Sequence, residues 1–220
     1  MLSCSPVNYQ VYYQMYQTKP SSENIKVYEN KIVYEDDKCS IMYDFWSEYG
    51  NAGFIIYNKS LENLVLHLDK SFYINNGIAY DYFKNRIYNS KSSVNEVYTI
   101  ESKTICVPPK CIKEIKEYVI NNSLYQNCSI NYRGYISSNN TVSFNKYDSP
   151  YVFSNVLVYS IGDSEEIHSI KNEFYVSKIT NCSSEDVMKS INSVICDTKE
   201  TEWIQVFKES GPDKFYIQYH

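Results

Sequence analysis

The sequence predicts a mainly β protein made of two stacked antiparallel layers. Three observations carry this. Short runs of β-branched and aromatic residues recur at period two, and Asn, Gly, Pro and Asp punctuate them. Alanine, the strongest helix former, occurs only at Ala52 and Ala79. Tyrosine dominates the aromatics, with 24 Tyr against 9 Phe and 2 Trp; its ring packs on a half-buried sheet face while its hydroxyl stays wet.

The elements follow in order. Residues 9–16 alternate Tyr9, Val11, Tyr13 and Met15 against Gln10, Tyr12, Gln14 and Tyr16, a strand with one largely apolar face. Residues 31–35 and 39–46 form a hairpin around Asp36-Asp37-Lys38, with Cys39, Ile41, Tyr43 and Phe45 on one face. Residues 51–83 read as a meander: a β run at 53–57, a polar connection at 58–63, and Leu64, Leu66 and Leu68 at period two. It ends in Asn75-Asn76-Gly77, where Asn and Gly accept the positive φ of a tight hairpin.

Residues 84–93, rich in Ser and Asn, are expected to form an exposed contact loop. Residues 104–107 make a strand stopped by Pro108-Pro109, and 111–120 are read as a strand, although Lys113-Glu114 and Lys116-Glu117 also suit a solvated helix. Residues 121–148 read as a long decorated loop or a pair of weak edge strands; loops of this length in compact domains are uncommon unless they bind something. Residues 150–161 and 167–179 are strong strands joined by Gly162-Asp163-Ser164-Glu165-Glu166. A short helix is predicted from Ser183, with Asp186 completing a capping-box-like start and Val187, Ile191, Val194 and Ile195 forming an apolar stripe. Residues 202–207 and 214–219 close the chain as a hairpin around Ser210-Gly211-Pro212-Asp213. Three units result: an N-terminal strand or arm (1–26), a β-sandwich domain (27–180), and a helix plus hairpin (181–220) packed on or beside it.

A net charge of −5 with interspersed signs argues against nucleic acid as partner. No run of about 20 apolar residues suits a membrane-spanning helix. The seven cysteines, at 4, 39, 106, 111, 128, 182 and 196, are odd in number and lack Cys-x-x-Cys spacing, so free thiols are expected, with Cys106 and Cys111 near enough in sequence to meet across the Pro108-Pro109 turn. Met1-Leu2-Ser3-Cys4 looks like the end of a lipoprotein signal in which a small residue precedes a lipidated cysteine. The hydrophobic stretch that belongs before it is missing, so the expectation is a chain that has lost export.

No nucleophile elbow, phosphate loop or His-Glu-x-x-His helix is present, and His67, His168 and His220 share no motif. His67 points away from the leucines of its strand, as a solvent-facing histidine does. The pairs Asp36-Asp37 and Glu165-Glu166 fall in predicted turns and read as solvated residues. No catalytic, cofactor or metal residue is assigned. The interface candidates are Tyr9, Tyr12 and Tyr16, Tyr80 and Tyr82, Arg86 and Tyr88, Tyr132, Arg133 and Tyr135, and Tyr219. Aromatic rings are enriched at docking and carbohydrate surfaces, and the Tyr12–Tyr16 face is the leading choice.

The runs YEDDKCSIMYDFWSEYGNAGFIIYNKSLENLVLHLDKSFYINNGIAYDYF, TICVPPK and SPYVFSNVLVYSIG together resemble a group of uncharacterised proteins of gut Bacteroidales, many lipoprotein-like, with relatives among crAss-like tailed phages. The resemblance covers residues 27–180. It implies an immunoglobulin-like antiparallel β-sandwich and no catalytic residues. The expectation is a non-catalytic virion protein of a crAss-like phage, a ring or collar subunit of the tail or portal vertex. It would assemble in the host cytoplasm as a homo-oligomer, with other copies of itself and other virion proteins as partners and without cofactor, nucleic acid or membrane. The alternative is a cell-envelope lipoprotein, lipidated at Cys4 of a longer precursor, that acts as a binding module.

Overall fold

The computed structural model describes residues 10–91, 96–126, 140–194 and 201–220. The strands of the first half are β1 (Tyr12–Pro20), β2 (Ile25–Tyr28), β3 (Lys31–Glu35), β4 (Cys39–Tyr43), β5 (Phe54–Asn58), β6 (Leu64–His67), β7 (Phe72–Asn75), β8 (Ile78–Asp81), β9 (Ile87–Lys91) and β10 (Glu96–Ile100). The second half carries β11 (Thr104–Val107), β12 (Ile112–Ile115), β13 (Asn140–Ser143), β14 (Val152–Ile161), β15 (His168–Ser183), β16 (Met188–Val194), β17 (Thr201–Phe207) and β18 (Lys214–Tyr219), with the one-turn helix α1 (Ser184–Val187) after β15.

They form a mainly β sandwich. One layer is a five-stranded sheet in the order β12-β5-β4-β3-β2, and the other is a nine-stranded sheet along β11-β6-β14-β15-β1-β18, with β7, β8 and β13 off that path. Period-two burial explains the stacking. Cys39, Ile41 and Tyr43 of β4 and Phe54 and Ile56 of β5 turn inward, as do Leu64 and Leu66, Phe153 and Leu157, and Phe174 and Val176 of the larger sheet. These residues belong to one cluster. At its centre the Phe174 ring lies 5.0 Å from Tyr43, 4.9 Å from Phe45 and 5.5 Å from Phe153.

The interior also holds amides. Asn172 Nδ2 of β15 donates to the Tyr43 hydroxyl of β4 at 2.8 Å. Asn155 of β14 accepts from the Tyr82 hydroxyl at 2.5 Å and donates to the Ala52 carbonyl at 3.2 Å. Both Asn side chains are fully buried, and each of these bonds joins the two layers or their connections. Gly50 sits at φ +74° where the chain enters the core; a Cβ there would lie 2.8 Å from Ile120 and 2.9 Å from Phe215, so no larger residue fits.

The long β15 organises the larger sheet. Residues 168–175 pair with β14, residues 178–181 pair with β13 on the same side, and β1 runs along the other side. Strand β14 is likewise flanked by β6 and then β7, between which Leu68–Lys70 makes one 3-10 turn. The Ser71 hydroxyl repairs that break, donating to His67 O at 2.6 Å and accepting from Val158 N at 3.0 Å.

The β3–β4 hairpin and its buried face follow the sequence reading, as do the strands at β11, β14 and β15. So does the Asn76-Gly77 turn, with φ of 48° and 81°, which joins β7 to β8. Other expectations need correction. Residues 51–83 are not a meander, because the 58–63 connection crosses from β5 in one sheet to β6 in the other. Residues 84–93 are not simply a loop, since β9 lies within them and pairs with β10.

The capping box at Ser183 exists, with Ser183 Oγ accepting from Asp186 N at 3.3 Å, but the helix stops after one turn. Of the expected apolar stripe, Val187 ends the turn, Ile191 and Val194 lie in β16, and Ile195 lies outside the described residues; Ser, Asn and β-branched residues support a helix poorly and cross-strand pairing with β17 prevails. No C-terminal hairpin forms either: β17 pairs with β16, and β18 pairs with β1. Strands from 1–26 and 181–220 thus enter the larger sheet beside β15. The strand order establishes a sandwich without establishing immunoglobulin-like connectivity.

Truncating the central ring tests this packing. Phe174→Ala should lower unfolding stability by roughly 3–5 kcal/mol in urea titration, whereas Leu61→Ser, at an exposed site, should stay within about 0.5 kcal/mol.

Candidate functional site

The structure sorts the sequence-selected residues into three groups. Tyr16 is completely buried, which overturns its assignment to a contact face. Its ring stacks on Phe215 at 4.4 Å, and its hydroxyl bonds to Gln14, which itself donates to Asn181 Oδ1 at 2.9 Å and Tyr125 O at 3.1 Å. Tyr82 is also buried, through its bond to Asn155. Tyr12 and Tyr219 are half-buried and stack on each other at 5.6 Å across β1 and β18. Only Tyr80 keeps an open ring. Tyr9, Tyr132, Arg133 and Tyr135 lie outside the described residues, and of Tyr88 only the backbone, in β9, is described.

Arg86 is engaged within the chain. Its guanidinium meets Glu101 at 2.9 Å and Glu117 at 3.1 Å, and Lys84 Nζ reaches Glu117 at 2.7 Å. This cluster ties the start of the β9–β10 ribbon to the segment after β12. Burial pushes the Glu101 carboxyl up, but hydrogen bonds from Arg86 and from Lys84 N outweigh it and hold the group below its ordinary 4.5. At Glu117, burial is likewise outweighed by the Lys84 ammonium and the Arg86 guanidinium.

Among the open surfaces, two carry clustered rings. The first is a cleft of about 450 Å³ between the β7–β8 turn and residues 117–122. Tyr80 forms part of its wall, with ring centroids 6.1 Å from Tyr73 and 5.9 Å from Tyr118. Tyr73 and Tyr118 stack at 5.0 Å, and Lys84 Nζ lies 4.5 Å over the Tyr118 ring. Ile78 and Val119 add exposed aliphatic surface. The second surface is the β16–β17 ribbon. Phe207 roots it against Trp46 at 4.9 Å and Tyr216 at 4.5 Å. Beyond that root, Trp203 and Val194 stand exposed on one face and Ile191 on the other. Sequence reasoning missed Trp203, because alternation within β17 does not tell which of its faces a second layer covers.

The groups most suggestive of chemistry are used structurally. Asp36 is not a solvated turn residue: its carboxylate accepts from Lys38 N at 2.8 Å, Cys39 N at 2.7 Å, and the hydroxyls of Tyr34 at 3.1 Å and Tyr159 at 3.4 Å. It therefore locks the β3–β4 turn to β14. Burial raises its pKa, and these bonds more than offset the rise. Burial, then the neighbouring Asp36 charge, pushes the Cys39 thiol up to about 12, and burial takes Cys182 to about 11. Cys106 and Cys111 are exposed free thiols. His67, half-buried, meets Ser160 Oγ at 3.2 Å. Among the described residues no group of three His, Cys, Asp or Glu could hold a metal, and no helix is long and apolar enough to cross a membrane.

No protein-family model, curated protein or solved structure matches the chain.

Two measurements check these assignments. At neutral pH a thiol reagent should modify Cys106 and Cys111 in the folded chain well before Cys39 or Cys182, read by peptide mass mapping. Because Glu101 and Glu117 are depressed in the folded state, their stabilisation is complete above the unfolded value and is lost as pH falls through the folded one. Between about pH 7 and about pH 3 the natural chain should therefore lose more urea stability than Arg86→Gln; equal acid sensitivity would remove the role given to this cluster.

Proposed function

We propose that this chain is a non-catalytic assembly protein, a ring or collar subunit in the tail or portal vertex of a crAss-like phage virion. Its partners are other copies of itself and other virion proteins, and it assembles in the host cytoplasm. The β16–β17 ribbon carries the reading. Among the described residues both strands pair only with each other, and apolar side chains stand on both faces. A two-stranded ribbon alone is marginally stable in water, so a neighbouring subunit supplies the missing cover. Trp203 is 73% exposed, and burying a ring of that size contributes roughly 3–5 kcal/mol before ordering costs. Trp is also among the residues most enriched at interface hot spots.

The β9–β10 ribbon supports the same reading, with Ile87 and Ile100 opposite each other and both exposed. The Ser3-Cys4 pair favours the second reading, a lipid-anchored envelope protein that presents the sandwich to a partner.

Sedimentation velocity separates these. The natural chain should self-associate, and Trp203→Glu should shift it toward monomer with thermal stability changed by less than about 2 °C. Mass spectrometry of purified virions should detect the polypeptide; virions that lack it would refute the assembly reading. An in-frame hydrophobic stretch in the DNA upstream of Met1 would favour the lipoprotein instead.

A further inference from the structure

The cleft beside Tyr80 differs in chemistry from the ribbons. Its walls are rings and aliphatic side chains, yet they carry polar groups with no hydrogen-bond partner among the described residues. These are the Tyr80 hydroxyl and the Asn122 amide at the surface, and Asn75 Oδ1 behind them, which is closed to water and has no donor. Asn75 Nδ2 is committed to Ile120 O at 2.8 Å, which leaves that oxygen as the acceptor.

The middle of the 117–122 wall already has its backbone paired. Val119 O accepts from the Tyr73 hydroxyl at 3.3 Å, Ile120 N donates to Gly50 O at 2.8 Å, and Asn121 N donates to Tyr49 O at 3.0 Å. An added peptide strand would need a row of free N–H and C=O groups, and this wall offers none. Charge is balanced as well, since the rim carboxylate Glu117 is matched by Lys84 and Arg86. What remains is an open aromatic face, aliphatic flanks and neutral hydrogen-bonding groups. That combination fits a ligand with an apolar C–H face and a belt of hydroxyls. A volume of about 450 Å³ is within the range of small-molecule sites and admits about two hexopyranose rings.

We propose that this cleft binds a neutral carbohydrate, with a pyranose ring lying on Tyr80 and its hydroxyls meeting the Tyr80 hydroxyl and Asn122. The site is independent of the assembly reading: it uses neither ribbon, and it suits a virion protein or an envelope protein equally. Tyr118, with Tyr73 on one side and Lys84 nearby, stiffens the wall and is a positioning residue. Tyr80 and Asn122 make the contacts.

Saturation-transfer NMR on the full chain tests this, with maltose, cellobiose, lactose and N,N′-diacetylchitobiose as probes. At least one should receive saturation at its ring protons. Tyr80→Ala should weaken that binding by about tenfold or more, Tyr80→Phe should retain part of it, and Asn122→Ala should weaken it without touching the fold, because Asn122 is exposed and unpartnered. Tyr147→Ala, at a fully exposed tyrosine elsewhere, should change nothing. Absence of transfer to all four sugars overturns the proposal, and so does transfer that survives both Tyr80→Ala and Asn122→Ala. If Tyr80→Ala instead abolishes self-association while no sugar binds, the cleft belongs to an interface between copies.

Discussion

The closure of two sheets over an interior that is only partly apolar governs the rest of this molecule. Phe45, Phe54, Phe153 and Phe174 provide cohesion that is nearly indifferent to small slides between the layers. The amides remove that indifference. Asn172 must meet Tyr43, and Asn155 must meet Tyr82 and Ala52, or each leaves a buried polar group without a partner at a cost of about 1–3 kcal/mol. Burial correspondingly pushes the Tyr43 and Tyr82 hydroxyls upward, so they stay protonated donors or acceptors throughout the physiological range. Rings hold the layers together, and amides fix their register.

That closure also determines which surfaces are left for other molecules. Tyr16 and Tyr82 are consumed in holding the sandwich, whereas Tyr80, two residues before Tyr82, is left at a cleft beside the stacked rings of Tyr73 and Tyr118. The charged cluster of Lys84, Arg86, Glu101 and Glu117 similarly secures a ribbon instead of facing outward. Both ribbons, which pair within themselves and lie off both main sheets, carry exposed apolar side chains, among them Ile87, Ile100 and Trp203.

Much of this was legible in the sequence wherever period-two hydrophobicity met clear punctuation. Cys39, Ile41, Tyr43 and Phe45 alternate cleanly, and Asn76-Gly77 permits few conformations other than a tight turn. The failures share a physical origin. The face bearing Gln14 and Tyr16 looked wet because glutamine is polar, but Gln14 is buried by pairing with Asn181, a residue 167 positions away. Local pattern cannot reveal such a partner. An abundance of Asn inside strands was the available signal for amides that bond across the core. The helix expected from Ser183 failed for the converse reason: its start is encoded locally, while its continuation is decided by β17. Of the site, Tyr80 could be read as exposed; the cleft around it depends on residues 117–122 coming back to the β7–β8 turn, which no spacing announces.

Strand β1 lies between β15 and β18, with Tyr13 bonded to Gln218 across a separation of 205 residues. On a ribosome the β18 side of this early strand must therefore wait until roughly 200 further residues have been added, on the order of 10–40 s at ordinary translation rates. During that interval Tyr16 lacks Phe215, its stacking partner, and an unpaired edge is offered to other chains. The wiring of the larger sheet thus leaves one edge of β1 open until late in synthesis, and chains cut short before β18 should be the aggregation-prone species.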